Sequence, residues 1–170
     1  TGFGRTGKQF CYEHDGVTPD VVIMGKALSG GVLPVSAVAA SAEVLGVFKP
    51  GDHGSTFGGN PLACAVAREA LRVIEDENLV EKSLFMGHYL KESLRNIISP
   101  HVKEVRGMGL LIGVEMKKSA GGARKFCEAL MAKGILCKET HKHVIRFAPP
   151  LTITQKELDW ALDRIESVLT

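Results

Sequence analysis

Leu110-Leu111-Ile112-Gly113-Val114-Glu115-Met116 is the stretch on which the fold class turns. Leu110, Ile112, Val114 and Met116 occupy every second position, with Leu111, Gly113 and Glu115 between them. Successive side chains of a strand point to opposite faces, so this spacing predicts a β-strand with one richer apolar face. Working outward, residues 122–133 predict a helix that stops at Gly134, since glycine suits the residue just past a helix end. Residues 135–138 and 144–148 predict two more strands. Pro149-Pro150 closes the second, because proline cannot donate to a ladder. Thr154-Gln155-Lys156-Glu157 is a capping box that opens a last helix. Leu158, Ala161, Leu162, Ile165, Val168 and Leu169 form its apolar stripe. Residues 100–170 therefore predict βαββα, an α/β sandwich of a few strands covered by helices.

Upstream, Asn60-Pro61 predicts a helix start. Asparagine is a good N-cap, and proline fits the first helical position, where its missing N–H would lack a partner anyway. That helix should run to Asp76. A second helix, over 79–98, should bury Val80, Leu84, Gly87, Leu90, Leu94 and Ile97. Val21-Val22-Ile23-Met24 is a continuous apolar run, as expected of a strand buried on both faces. Residues 34–40 are a second β-like run, 43–48 a short helix, 9–12 a short strand and 49–60 a Gly-rich loop. The segment before residue 60 has no core of its own.

Composition narrows the function classes. The 170 residues are 45% hydrophobic and 24% charged, which is ordinary usage for a folded domain and excludes disorder. The net charge of +2 is spread along the chain, so there is no polyanion footprint and no nucleic-acid partner is expected. No apolar run reaches the ~20 residues of a membrane helix, so no membrane partner is expected either. Cys11, Cys64, Cys127 and Cys137 form no C-x-x-C pair, which argues against structural zinc and for buried or half-buried free thiols in a reducing compartment. His141-Lys142-His143 has no third ligand nearby and reads as a solvated turn. No metal site is expected. The chain begins Thr1-Gly2-Phe3-Gly4, with neither an initiator Met nor a signal-like segment, and is expected to be a piece of something longer.

Gly2-Phe3-Gly4-Arg5-Thr6-Gly7 fits G-x-G-x-x-G, but no strand precedes it and no helix pattern follows, so it reads as a Gly-rich turn. Gly25-Lys26 is not a phosphate-binding P-loop, because Asp20 and Ala27 stand where that motif needs Gly and Ser or Thr. Three features remain. Lys26 directly follows the Val21–Met24 run and precedes small, Gly-rich residues. Burial would lower its pKa, and a neutral amine is what Schiff-base chemistry needs. His53-Gly54-Ser55-Thr56-Phe57-Gly58-Gly59-Asn60 gathers hydroxyls and backbone N–H groups before a helix start. This is either a phosphate cradle or an ordinary loop leading into a helix. Arg146, in Val144-Ile145-Arg146-Phe147-Ala148-Pro149-Pro150, points opposite Ile145 and Phe147. Its planar fork suits a carboxylate ligand or a structural ion pair.

In this order, the three features resemble the class III aminotransferases, which are pyridoxal-phosphate (PLP) enzymes of fold type I. TGFGRTG is similar to the stretch after the family's acidic cofactor-site segment. VIMGKALSGG resembles its Schiff-base lysine motif, which falls on Lys26. HGSTFGGNPLACAVA is similar to its phosphate loop, which places Ser55 and Thr56 on the cofactor phosphate across a homodimer interface. VIRFAPPLTIT resembles the segment whose arginine, here Arg146, holds the substrate carboxylate. The resemblance implies that residues 1–75 are the end of a large PLP-binding domain and 76–170 a small C-terminal α/β domain. Within the family the motifs are most similar to members that move the δ-amino group of ornithine to 2-oxoglutarate, with acetylornithine and other ω-amino acid branches close. It implies amino acid and 2-oxo acid substrates, and a cytoplasmic location (the mitochondrial matrix in a eukaryote). It also implies that the aspartate facing the pyridine nitrogen and the ring-stacking aromatic lie upstream of Thr1, so this chain is inactive alone. A non-catalytic α/β module is the other reading of the chain as it stands.

Overall fold

The computed structural model describes residues 1–170. The predicted alternation around residue 112 forms the centre of the fold. Strand β4 (Leu111–Met116) buries Ile112, Val114 and Met116, and Leu110 just before it is fully buried. It lies between β3 (Val102–Met108) and β6 (Val144–Phe147), and β5 (Lys138–Thr140) pairs with the far edge of β6. The four strands run in the order β3-β4-β6-β5, antiparallel throughout. Helices α3 (Leu79–Asn96), α4 (Arg124–Ala132) and α5 (Gln155–Leu169) supply Leu90, Leu94, Phe126, Leu130, Leu158 and Ile165 to the same core of 18 buried residues.

The order over this region is ββαββα rather than βαββα. The unexpected strand, β3, is the charged segment Val102-Lys103-Glu104-Val105-Arg106, in which Val105 is the one buried side chain. It is an edge strand, and one buried residue leaves no alternation to read. The strand expected at 135–138 begins at Lys138 instead. Ile135 is buried but closes the end of α4, its N–H donating to the Leu130 carbonyl at 2.9 Å.

The two helix starts with side-chain signals are as expected. Asn60 Oδ1 accepts from the Ala63 N–H at 2.8 Å and opens α2 (Pro61–Asp76). Thr154 Oγ1 accepts from the Glu157 N–H while the Glu157 carboxylate accepts from the Thr154 N–H, which is the reciprocal box. In α3 the buried face is Leu79, Ser83, Gly87, Leu90 and Leu94, displaced from the expected stripe, so that Leu84 is exposed. Gly87 leaves room for the backbone of Gly109, which a Cβ at position 87 would meet at 2.1 Å.

Before α2, β1 (Val21–Met24) and β2 (Ala37–Ala40) form a two-stranded antiparallel sheet. The expectation that β1 is buried on both faces is wrong for this chain. Ile23 is 81% exposed, because β1 pairs with β2 alone and one face carries no covering layer. The helix expected at 43–48 is a single turn, α1 (Ala42–Leu45), capped by Ser41. The strand expected at 9–12 is reduced to a bridge between Gly2 and Phe10, followed by a 3-10 helix, Cys11–Asp15. A second cluster of five buried residues (Phe3, Leu28, Ala67, Ile74 and Leu79) fastens this part to α2 and α3.

Candidate active site

Lys26 is the first residue of a 3-10 turn, Lys26–Ser29, which follows β1 by one residue. Leu28 and Ser29 are buried, and the turn packs on α2. Small residues on that helix permit the approach, and a Cβ added to Gly30 would meet the Ala70 Cβ at 3.5 Å. Lys26 itself has φ +49°. That is the left-handed region, which costs a side-chain-bearing residue about 1–2 kcal/mol. Backbone strain held by a packed turn is characteristic of sites where a side chain must be aimed.

The buried setting expected for Lys26 is not found. Its side chain is exposed, and it lines an open cleft of about 960 Å³. The sequence pattern indicated burial because four apolar residues precede the lysine. The side chains of those residues are themselves exposed or half-exposed here. Phe3, Phe10 and Tyr12 line the same cleft. The Phe10 and Tyr12 rings stack at 5.4 Å between centroids and 4° between planes, and Phe3 meets Phe10 at 5.5 Å. The motif reading did not single out this aromatic wall. The density of aromatics between residues 3 and 12 was the available signal.

Arg5 also lines the cleft and was likewise not singled out. Its guanidinium donates to the Leu110 carbonyl at 3.1 Å and to the Pro149 carbonyl, and burial lowers its pKa. The Arg5 carbonyl in turn accepts from the Ser83 hydroxyl at 3.1 Å and from the Leu110 N–H at 3.0 Å. One residue of the Gly-rich turn thus ties the cleft to the loop that ends β6, the strand carrying Arg146.

Arg146 is exposed, as the alternation requires, while Ile145 and Phe147 are buried. It stands in a cross-strand row with Gly113 on β4 and Lys138 on β5, and Arg106 on β3 faces Gly113 in turn. Arg106 is held by Glu115 at 2.6 Å and Glu104 at 3.1 Å. These contacts raise its pKa, chiefly through the hydrogen bond to Glu115. Arg146 has no such partner. None of the ion pairs in the structure includes it, and it borders a shallow hollow of about 340 Å³ with Arg106, Gly113 and Thr140.

Ser55 and Thr56 are exposed and do not line the Lys26 cleft. Ser55 Oγ accepts from the Gly58 N–H at 2.9 Å, which leaves its own proton free to donate outward. The Asn60 side-chain amide closes the loop by donating to the Phe57 carbonyl at 2.9 Å. The hydroxyls therefore sit just ahead of the α2 N-terminus, while a lateral face of α2 supports the lysine turn. The structure brings Lys26 together with Phe10, Tyr12 and Arg5. It keeps Ser55, Thr56 and Arg146 on separate surfaces.

The fold thus presents a lysine on a strained turn and an arginine without an ion-pair partner on a sheet face. The chain belongs to the aminotransferase class-III family, which it matches over residues 1–169. It is 59% identical over 169 residues to the ornithine aminotransferase of Bacillus subtilis (strain 168), covering 99% of this chain and 41% of that one. Identity to the ornithine aminotransferase of Brevibacillus brevis is also 59%, over 99% of this chain and 42% of the relative. Among solved structures, the ornithine aminotransferase of Toxoplasma gondii aligns with a TM-score of 0.94 at 46% identity, covering 99% of this chain and 41% of that one. The acetylornithine aminotransferase of Elizabethkingia anophelis aligns with a TM-score of 0.92 at 44% identity, covering 99% and 43%. The chain thus spans about two-fifths of the length of the relatives it matches.

Proposed function

We propose that this chain is part of a PLP-dependent aminotransferase that moves the δ-amino group of ornithine to 2-oxoglutarate, giving glutamate semialdehyde and glutamate. The observation that carries the reading is Lys26, an unpaired amine on a strained, well-packed turn, facing a cleft with an aromatic wall. Such a cleft has the size and lining for a flat heteroaromatic ring, and the Toxoplasma gondii relative has PLP in partial occupancy at its active site. Residues 1–75 would be the edge of the cofactor-binding domain and 76–170 the small domain.

Lys26 would hold the cofactor through Nζ and, once released, carry the proton to and from the substrate carbon that bears the amine. Bound there, PLP supplies an electron sink for that carbon. Arg146, free of internal carboxylates, would grip the substrate carboxylate bidentately. Ser55 and Thr56 would donate to the cofactor phosphate. Their position outside the Lys26 cleft supports the reading that they serve the site of a second copy in a homodimer. No helix is long and apolar enough to cross a membrane, and a cytoplasmic location, or the mitochondrial matrix in a eukaryote, is part of this proposal.

In the full-length enzyme, Lys26→Ala should lower turnover by at least about 10²-fold, because it removes the acid–base group. Semialdehyde formation from ornithine measures this, and unchanged turnover would overturn the assignment. The likeness to acetylornithine aminotransferase favours a second donor class. Comparing kcat/KM for ornithine, acetylornithine and other ω-amino acids decides between them.

A further inference from the structure

Two of the four cysteines lie together, outside the Lys26 cleft. Cys127 is in the first half of α4 and is buried; Cys137 directly precedes β5 and is half-buried. Helix α4 packs on β5, and each thiol is close enough to the other to perturb its titration. Both border a small cleft of about 230 Å³, whose charged walls are Arg124 and Glu128 from α4 and Lys138 and Glu139 from β5. The other two cysteines, Cys11 and Cys64, stand elsewhere on the fold, and Cys64 is exposed.

We propose that Cys127 and Cys137 form a two-thiol redox site that small hydroperoxides convert to an intramolecular disulfide between α4 and β5. A disulfide forms without backbone movement when the two Cα atoms lie within about 7 Å, a spacing open to cysteines that border one small cleft from a packed helix and strand. The cleft admits a molecule of the size of hydrogen peroxide to a pair too enclosed for a bulky oxidant.

The roles of the two thiols differ. Burial raises Cys127 and the Glu139 carboxylate adds to the rise, whereas the Cys137 thiol and, more weakly, the Arg124 guanidinium oppose it. Burial and the neighbouring Cys127 push Cys137 up to about 12. Cys127 is therefore the first to ionise and Cys137 the thiol that keeps its proton. The Cys127 thiolate attacks one peroxide oxygen and breaks the O–O bond, giving a sulfenic acid and hydroxide, which takes up the proton that Cys127 released and becomes water. The Cys137 sulfur then attacks the sulfenic sulfur. The S–S bond forms, the S–O bond breaks, and the departing hydroxide takes the Cys137 proton and leaves as water. With hydrogen peroxide, two thiols and one peroxide give one disulfide and two waters, with two electrons passing from sulfur to oxygen; an organic hydroperoxide leaves an alcohol in place of one water. Scarcity of thiolate makes this a slow site, which responds to sustained oxidant. Its closure fixes β5 beside Lys138, the cross-strand partner of Arg146.

The test uses the 170-residue chain carrying Cys11→Ser and Cys64→Ser, so that only this pair can react. After hydrogen peroxide the intact mass should fall by two hydrogens. Peptide mapping should recover a Cys127–Cys137 cross-link, and the melting temperature should rise by several degrees until dithiothreitol reverses both changes. The same assay on the chain with all four native cysteines guards against a folding defect in the doubly substituted chain, and should give the same cross-link. Adding Cys137→Ser should replace the cross-link with a sulfenic acid at Cys127 that a dimedone-type probe traps. Stepwise addition of two or three oxygens at Cys127 while Cys137 remains free, or no reaction of either thiol, would overturn the proposal.

Discussion

At the scale of single residues, the sharpest constraint is the contact between two glycines. Gly87, inside α3, lies against Gly109, and a methyl group there would overlap the Gly109 carbonyl carbon and oxygen. Gly109 in turn has φ +51° and crowds the Thr6 and Arg5 backbone. At this point the helix, the turn between β3 and β4, and the turn containing Arg5 meet backbone to backbone, with the Ser83 and Arg5 side-chain hydrogen bonds beside the contact. Glycine is a poor helix former, so its presence at 87 reflects this packing. Gly87→Ala should gain helix propensity and still destabilise by about 1–3 kcal/mol, the usual cost of overpacking. Urea unfolding followed by circular dichroism would measure it, and a neutral or stabilising result would mean that the three backbones can separate freely. Arg5 belongs to the same junction. Its partners Leu110 and Pro149 lie 105 and 144 residues away, so its role was out of reach of any local pattern.

Individual elements differ in how visible they are in sequence, and the reason is the range of the interactions that define them. Asn60 and the Thr154–Glu157 box act over three residues, so both helix starts could be read directly. The β4 alternation was legible because one face is buried throughout. β3 was missed because an edge strand needs only one buried side chain, and β5 was misplaced because it follows the apolar Ile135 and contains Lys138-Glu139-Thr140. The site was similarly divided. Lys26, Ser55, Thr56 and Arg146 stand out as residue types in sequence, but the exposure of Lys26 depends on what covers β1, which no neighbour in sequence determines.

Capping gives two checks at this scale. Thr154→Ala should cost about 0.5–2 kcal/mol, the usual worth of an N-cap hydroxyl, with the loss visible in thermal melts. The second check is pH. The backbone N–H and hydroxyl of Thr154 hold the Glu157 carboxyl below its ordinary range, and Lys103 and Arg106 do the same for Glu115. A carboxylate with a depressed folded-state pKa binds fewer protons folded than unfolded. Its stabilisation is fully present above the unfolded value of about 4.3 and disappears as pH falls through the folded value. The melting temperature should therefore hold between pH 7 and 5 and drop below about pH 4.3, with a shallower drop in Glu157→Gln. Equal slopes for the two chains would remove Glu157 from the account.

For the molecule as a whole, the distribution of burial governs behaviour. Eighteen buried residues hold β3 to β6 with α3, α4 and α5, whereas five fasten the segment before α2. Within that segment the β1–β2 sheet presents Ile23 opposite Val38, 81% and 52% exposed, with Val21 beside them at 41%. A two-stranded sheet is marginal in water, and exposed apolar pairs on a sheet with open edges promote association. Two consequences should appear together in the isolated chain. Amide hydrogen exchange should be fastest in β1 and β2 and slowest in β4, because local opening is easiest where few apolar contacts are lost. Sedimentation velocity across a concentration series should reveal self-association that Ile23→Thr with Val38→Thr reduces. Threonine keeps the β-branched shape a strand prefers while making this face polar. The paired substitution should leave the melting transition nearly unchanged, since neither side chain is part of a buried cluster. If association persists undiminished, the adhesive surface lies elsewhere, with Phe57 and Leu62 at the start of α2, 80% and 67% exposed, the next to replace.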